Sequence, residues 1–463
     1  MSEQAASLER TAADAPKRSV FRTKIGFVLA AAGSAVGLGN VWRFPYFAAT
    51  YGGGTFLFAY LVVVATFGLV LMTAEIALGR WTRLSPLGAF RKAHRKMAVV
   101  GVLAMLVPIV IFPYYSVIGG WVFRYSFTFL TGGASAAAEA GYFGAFTSGT
   151  WAPIFWLAAF IAVNGILVAR GVQKGIEKIN VVAMPIFIVM IVGLAVYALT
   201  LPGASEGLGH YLRPDFGSLS ALTFIAATRQ SFFSLSLAMG IMITYGSYLK
   251  KSTSIERSVI QIGIIDTGVS FVAGLLVIPA VVAFMGIGGL GQGAGLMFVT
   301  LPQVFASMPG GALIGALFFT LMGVAAITSG ISLMEVPTAT VMEKFGLSRP
   351  RAALIVAVGS VLLALPTTLG FGVWSGFQVA GMNMLGVMSF ISDTALMPVV
   401  ALGTVLLVGW VVGPRAIAAV VKEDGAPFRM EKLFTVMTKW VAPVLLLGLL
   451  VTAFLMAAGV IVL

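Results

Sequence analysis

The stretch Gly33-Ser34-Ala35-Val36-Gly37-Leu38-Gly39-Asn40-Val41-Trp42-Arg43-Phe44-Pro45 decides how this chain is read. It lies inside the first long apolar segment, about residues 25–49. Three glycines followed by an Asn and an Arg do not suit an ordinary membrane helix. Glycine lowers the cost of leaving helical geometry. Unwound backbone at membrane depth is tolerated only where it is buried in protein or lines a cavity, and an intramembrane Arg marks a functional site. The spacing Gly33-x-x-x-Gly37 by itself would suit close helix packing, but it leaves Gly39, Asn40 and Arg43 without a reason. The stretch therefore predicts a broken helix, whose freed carbonyls can hold a cation and whose free amides can hold an anion.

Around this segment the chain has 463 residues, 59% of them hydrophobic and only 10% charged, with a mean hydropathy of +1.02. That balance predicts an all-α integral membrane protein. Eleven apolar spans are expected, at about 25–49, 55–79, 98–130, 152–169, 177–200, 219–248, 258–287, 311–343, 351–370, 385–413 and 434–462. The formal charge of +13 invites a nucleic-acid reading, but its placement argues against one. Apart from Arg43, Arg124, Arg213 and Arg229, every Lys and Arg falls on the N-terminal arm or around the loops after spans 2, 4, 6, 8 and 10. By the positive-inside rule this puts the N-terminus in the cytoplasm and the C-terminus outside. The basic excess is topological and calls for no nucleic-acid partner.

There are no cysteines, hence neither a disulfide framework nor a thiolate metal site. His94 and His210 lie in expected loops and make no metal cluster. The polar first residues carry acids as well as bases and do not read as a cleavable signal peptide. Residues 1–17 are expected to be a disordered cytoplasmic arm, and 18–463 a single membrane domain. Span 6 holds a second irregularity, Gln230-Ser231-Phe232-Phe233-Ser234-Leu235-Ser236-Leu237-Ala238-Met239-Gly240. It reads either as a second break or as a Ser-containing helix whose hydroxyls bond back to its own carbonyls. Two interruptions five spans apart point to a transporter built from two five-helix inverted repeats with broken helices 1 and 6 and a midplane site. The repeats would be about 25–200 and 219–413, with an extra helix at about 434–462. Gly286-Ile287-Gly288-Gly289-Leu290-Gly291 lacks the Lys-Ser/Thr of a phosphate loop and reads as a flexible outer loop. No nucleophile–base or metal constellation suggests an enzyme.

These motifs resemble the neurotransmitter:sodium symporter family, in particular its bacterial amino-acid transporters with a leucine-transporter-like fold. The resemblance runs over about residues 18–462. It is carried by the stretch 33–45, by Tyr114-Tyr115, by Phe232-Phe233-Ser234-Leu235-Ser236, by Ile243-Thr244-Tyr245-Gly246-Ser247-Tyr248 and by Thr328-Ser329-Gly330. Members commonly have twelve spans, and a subset of bacterial relatives has eleven. The resemblance implies sodium-coupled symport of a neutral, hydrophobic or aromatic L-amino acid across the cytoplasmic (inner) membrane by alternating access. It implies two sodium sites. One would use the Ala35 carbonyl, Asn40, Ser234, Asp266 and the substrate carboxylate. The other would use the carbonyls of Gly33, Val36 and Ala325 with the hydroxyls of Thr328 and Ser329. Such hard oxygen donors suit a small hard cation. The substrate carboxylate would meet the amides near Gly37 and Gly39 and the Tyr115 hydroxyl. Its amine would meet carbonyls near Ala35 and Phe233, with Ser234 and Ser236 beside it, and its side chain would lie among Ile111, Tyr115, Phe233, Met239, Ser329 and Leu333. Read without the resemblance, Tyr115, Phe233 and Met239 suit core packing and Thr328 and Ser329 suit backbone bonding within their helix.

The same resemblance implies a cytoplasmic gate of Arg18, Ser247, Tyr248 and Glu343, and an outer gate around Arg43. Glu75 and Glu335 read as structural partners of freed backbone amides. The chain departs from the family pattern in three places. Asp266 replaces an amide, which would supply the negative charge that chloride provides near the position of Ser270 in chloride-dependent members. The outer acid falls at Ser389, with Asp393 one helical turn further along the same face. Arg229 stands where a small residue is usual. Arg43, Arg229 and Asp393 could form a rearranged outer gate, or Asp393 could face the substrate. The runner-up reading is a proton-coupled transporter using Asp266; a non-transporting receptor or channel is the rival from another class. The oligomeric state is not legible.

Overall fold

The structure, a computed structural model, describes residues 20–291 and 295–457. The expected arm, Arg18 included, lies outside the described residues. Among these, no strand forms beyond one isolated bridge between Val379 and Met382. Nine described helices are long and apolar enough to cross a membrane: Gly54–Thr82, Arg95–Leu130, Trp151–Ala169, Val172–Leu199, Ile255–Met285, Gly311–Phe345, Arg349–Leu369, Met384–Val411 and Glu431–Thr452. They correspond to expected spans 2–5 and 7–11. The pair Lys24–Ala35 and Gly39–Thr50, bent by 52°, makes a tenth crossing when counted as one span. Span 6 consists of two shorter helices, Ala221–Ser234 and Ile241–Ser247, neither long enough to cross alone.

Burial sorts the helices into an inner and an outer group. In spans 2, 7, 8 and 10, 61–67% of the apolar window is buried; in spans 4, 5, 9 and 11, only 33% is. The outer group faces lipid with side chains such as Val189, Val196 and Leu362. The two interrupted spans pack inside, where freed backbone groups can find protein partners instead of lipid.

The first break begins conventionally. The Thr23 hydroxyl caps the opening helix by accepting from Gly26 N at 2.9 Å. At Val36 the backbone turns extended, with ψ 99°. The Gly37 amide, freed by this turn, donates to Asn40 Oδ1 at 2.9 Å. A π-helical turn, Gly39–Arg43, follows, and Pro45 sits in the first turn of Phe44–Thr50, where its missing N–H does no harm. The glycines act differently from the sequence-based expectation. None of Gly33, Gly37 and Gly39 has a positive φ. They are needed for close approach: a Cβ would lie 2.5 Å from Ser329 Oγ at Gly37 and 2.7 Å from the Phe233 ring at Gly39.

The second break is strained. Ser236, Ala238 and Gly240 have φ of 53°, 59° and 69°, and the first two carry side chains that disfavour this region. The Ala238 amide donates to Glu75 Oε1 at 2.7 Å. Glu75, from span 2, thus satisfies backbone freed by span 6, as its place in the sequence suggested. Glu335 does not. Its oxygens accept from Tyr248 OH at 2.7 Å and from Arg349 Nη1 and Nη2 at 2.7 and 3.0 Å. It ties spans 8 and 9 to the loop after span 6, and Arg349, counted from sequence as a loop charge, is its ion-pair partner.

Candidate functional site

Where the two breaks face each other, spans 1, 2, 6 and 7 bring five polar side chains together, all essentially buried. Asn40 Nδ2 lies 2.7 Å from Asp266 Oδ1, 2.8 Å from Ser270 Oγ and 3.1 Å from Ser234 Oγ. Ser234 Oγ sits 2.8 and 2.7 Å from the two oxygens of Asp266. Tyr60 OH donates to Asp266 Oδ2 at 3.2 Å. A buried carboxylate is tolerable only when hydrogen-bonded or paired, and Asp266 accepts from three different elements. Tyr60 is a member of this group that the sequence reading missed.

A second group joins span 8 to span 1. Ser329 Oγ lies 3.3, 3.1 and 3.4 Å from the carbonyl oxygens of Gly33, Ser34 and Val36. Thr328 Oγ1 donates to the Ala325 carbonyl at 3.0 Å.

Between the two groups is a narrow cavity of about 20 Å³, room for about one water molecule. Ala35, Gly37, Gly39, Ile111, Tyr115, Phe233, Ser236, Met239, Ser329 and Leu333 line it, joined by Ser34, Leu38, Asn40 and Ile241, which sequence reasoning had not assigned to it. Ser234 does not line it; its hydroxyl belongs to the Asp266 group. Ser34 and Ser236 bond across the two breaks, Oγ to Oγ, at 3.0 Å. The buried Tyr115 hydroxyl lies beside Ser329 and the Leu38 backbone, with no hydrogen bond of good geometry.

Above Phe233 and Tyr115 opens a wider cavity of about 360 Å³, lined by aromatic residues including Trp42, Tyr46, Phe47, Trp121 and Phe371. Arg43, Ser389 and Asp393 also line it. Arg43 Nη1 pairs with Asp393 Oδ2 at 3.0 Å. Asp393 lies within a π-helical turn, Phe390–Leu396, and accepts further from Tyr114 OH at 3.1 Å, Ser392 Oγ at 2.8 Å and Ser389 Oγ at 3.2 Å. The Arg43 guanidinium also stands 4.8 Å from the Phe233 ring centroid. Arg229 donates to Thr394 Oγ1 at 3.2 Å, not to Asp393. Asp393 lines the wide cavity and not the small one.

At the opposite end Phe21 N donates to the Tyr248 carbonyl at 3.1 Å, and Ser247 Oγ to the Thr244 carbonyl at 2.6 Å. Glu343 Oε2 accepts from Ser85 N at 2.8 Å. Glu177 holds the chain just before span 1, accepting from Arg22 N and Thr23 N at 2.7 and 3.1 Å. Glu177, Asn164 and Asn180 are buried polar residues of spans 4 and 5 that the motif search passed over. A scan for any polar side chain inside an apolar run would have found them.

Membrane-crossing helices around a small, mainly apolar cavity bordered by two polar clusters, with a wide aromatic cavity on one side of it, suit a secondary transporter. The sequence profile of the Sodium:neurotransmitter symporter family matches residues 18–137 and 147–460, and the chain belongs to this family. It is similar to the sodium-dependent transporter YhdH of Bacillus subtilis (strain 168), 36% identical over 81% of this chain and 84% of the relative. A sodium-dependent transporter of Methanocaldococcus jannaschii is 32% identical over 86% of this chain and 82% of the relative. The crystal structure of MhsT in complex with L-phenylalanine superposes with a TM-score of 0.87 at 36% identity, covering 94% of this chain and all of that one. The chain is thus a multi-pass membrane protein of a family of sodium-dependent transporters of small molecules.

Proposed function

We propose that the chain is a symporter of neutral, hydrophobic or aromatic L-amino acids, driven by sodium without chloride. The observation that carries this reading is the small cavity between the breaks. Its walls are apolar on the side of Ile111, Phe233, Met239 and Leu333, and its polar end carries the buried hydroxyls of Tyr115 and Ser329. That combination suits an amino acid whose carboxylate accepts from Tyr115 and from amides near Gly37 and Gly39, and whose side chain is apolar. MhsT, crystallised with L-phenylalanine, supports it by likeness.

In this reading one sodium is held by the Ala35 carbonyl, Asn40, Ser234, Asp266 and the substrate carboxylate. A second is held by the carbonyls of Gly33, Val36 and Ala325 with Thr328 and Ser329. Both ions are cargo. Asp266, in place of an amide, supplies the charge that makes chloride dispensable. Arg43 and Asp393, with Ser389, form the outer gate above Phe233, and Arg229 supports the same end of span 10 through Thr394. Tyr248, Ser247, Glu343 and Arg18 form the cytoplasmic gate. The chain from 18 onward is one transporter domain of eleven spans, with span 6 made of its two short helices. Spans 1–5 and 6–10 are inverted repeats, and the N-terminal side lies in the cytoplasm. The test is uptake of labelled phenylalanine into proteoliposomes under a sodium gradient. Uptake that persists with choline replacing sodium, or that fails with gluconate replacing chloride, contradicts the reading.

A further inference from the structure

Spans 4 and 5 each bury one asparagine completely: Asn164 and Asn180. Each amide donates to its own helix one turn back, Asn164 to the Phe160 carbonyl at 2.9 Å and Asn180 to the Ile176 carbonyl at 2.8 Å. Their side-chain carbonyl oxygens have no hydrogen-bond partner. A buried acceptor left unpaired destabilises the fold, and a leucine would fill a similar volume without that penalty. An acceptor unused in one state therefore points to a use in another.

Asn180 Oδ1 stands where a side chain on Gly33 would be; a Cβ there would lie 1.8 Å from it. The Gly33 carbonyl oxygen is 3.3 Å from Ser329 Oγ. Only the width of Gly33 thus separates the idle oxygen from the donors that span 1 and span 8 contribute. Gly33 also lies in the last turn of the half-helix Lys24–Ala35 that precedes the 52° bend, so it belongs to a part of the chain with a hinge beside it. Asn164 Oδ1 faces Gly330, with a Cβ there 2.6 Å away, but Gly330 lies within the continuous helix Gly311–Phe345, which has no such hinge. Asn180 lies near the end of span 5 that follows the basic residues Arg170 and Lys174, the cytoplasmic end by charge placement.

We propose that Asn180 is a sodium-release residue: its Oδ1 is the first protein ligand of an ion leaving the Gly33–Val36–Ser329 donors for the cytoplasm. This rests on the reading of those donors as a sodium site. When the Gly33 half-helix swings aside, the oxygen it covers becomes accessible to the ion. A neutral amide oxygen is a hard donor that suits sodium and, lacking a charge, does not trap it. Asn180 therefore speeds sodium departure while contributing little to sodium binding in the closed state.

The test compares two transport modes in proteoliposomes with labelled L-phenylalanine. Net uptake down a sodium gradient requires sodium release inside; counterflow with equal, saturating sodium on both sides does not. For Asn180→Ala, net uptake falls about fivefold or more, equivalent to about 1 kcal/mol. Counterflow and sodium-dependent binding stay within about twofold of wild type, and Asn164→Ala behaves as wild type in both modes. An equal fall in both modes, no change in either, a matching effect of Asn164→Ala, or loss of phenylalanine binding by Asn180→Ala would assign the residue to packing and overturn the proposal. Wild-type binding that ignores sodium would instead remove the sodium site beneath it.

Discussion

At Ser329 a single hydroxyl lies within 3.4 Å of three carbonyl oxygens, those of Gly33, Ser34 and Val36. A hydroxyl has one proton to donate, so most of these contacts set oxygen against oxygen. A cation among them converts that repulsion into coordination. Ser329→Ala is therefore expected to raise the sodium concentration for half-maximal phenylalanine binding about tenfold or more, in line with about 1.5–3 kcal/mol for a bond to a charged group. Thr328→Ser, which keeps the oxygen, changes it far less than Thr328→Ala. Asp266→Asn removes the negative charge from the other cluster, and uptake then either stops or responds to chloride through Ser270. A wild-type chloride requirement would show that the Asp266 carboxylate has been misjudged. Asp393 is bonded to Arg43 and lines the wide cavity, so lysine should compete poorly for phenylalanine uptake. Strong lysine competition that Asp393→Asn abolishes would move Asp393 into the binding site.

The two breaks show what an element's sequence does and does not disclose. Gly33-x-x-x-Gly37-x-Gly39 located the first interruption because intramembrane glycine and charge are rare. The reason was not legible: the glycines yield space to Ser329 and Phe233, partners far away in the chain, and the turn itself occurs at Val36. Span 6 was ambiguous, since a Ser-rich apolar run fits a helix as well as a break. Its left-handed residues Ser236 and Ala238 gave no local signal, because Gly is the usual marker of that conformation. Glu75 was legible as a partner for freed amides, whereas Glu335 was not legible as the partner of Arg349, a pairing set by how spans 8 and 9 pack. Glu75→Leu should destabilise the protein by about 1–3 kcal/mol, because it leaves the Ala238 amide unpaired, while Glu75→Gln, which keeps an acceptor, should be mild. Thermal unfolding of the detergent-solubilised protein reads the difference, and equal Tm shifts for the two variants would dismiss the role given to this hydrogen bond.

On the scale of the whole molecule, a narrow central cavity of about 20 Å³ adjoins a wider one of about 360 Å³. Leu38, Tyr115 and Phe233 line both and form the partition. The central space is too small for an amino acid, so binding one requires the walls to part. Met239, unbranched and adaptable, is the wall residue best able to do so. The class was legible in charge placement and the broken-helix motif, which are local signals; the cavity-lining residues were legible only through the family resemblance, since without it they read as core packing. The idle oxygens of Asn164 and Asn180 were not legible, since an unpaired group is defined by what its neighbours fail to offer. The central claim is that sodium and an apolar amino acid bind to one coupled site, and coupling must be reciprocal. Equilibrium binding of labelled phenylalanine to the purified protein, titrated with sodium at constant ionic strength, tests it most directly. Affinity that rises with sodium, together with half-maximal sodium that falls as phenylalanine is raised, is the expected result; equal affinity in sodium and in choline would contradict it.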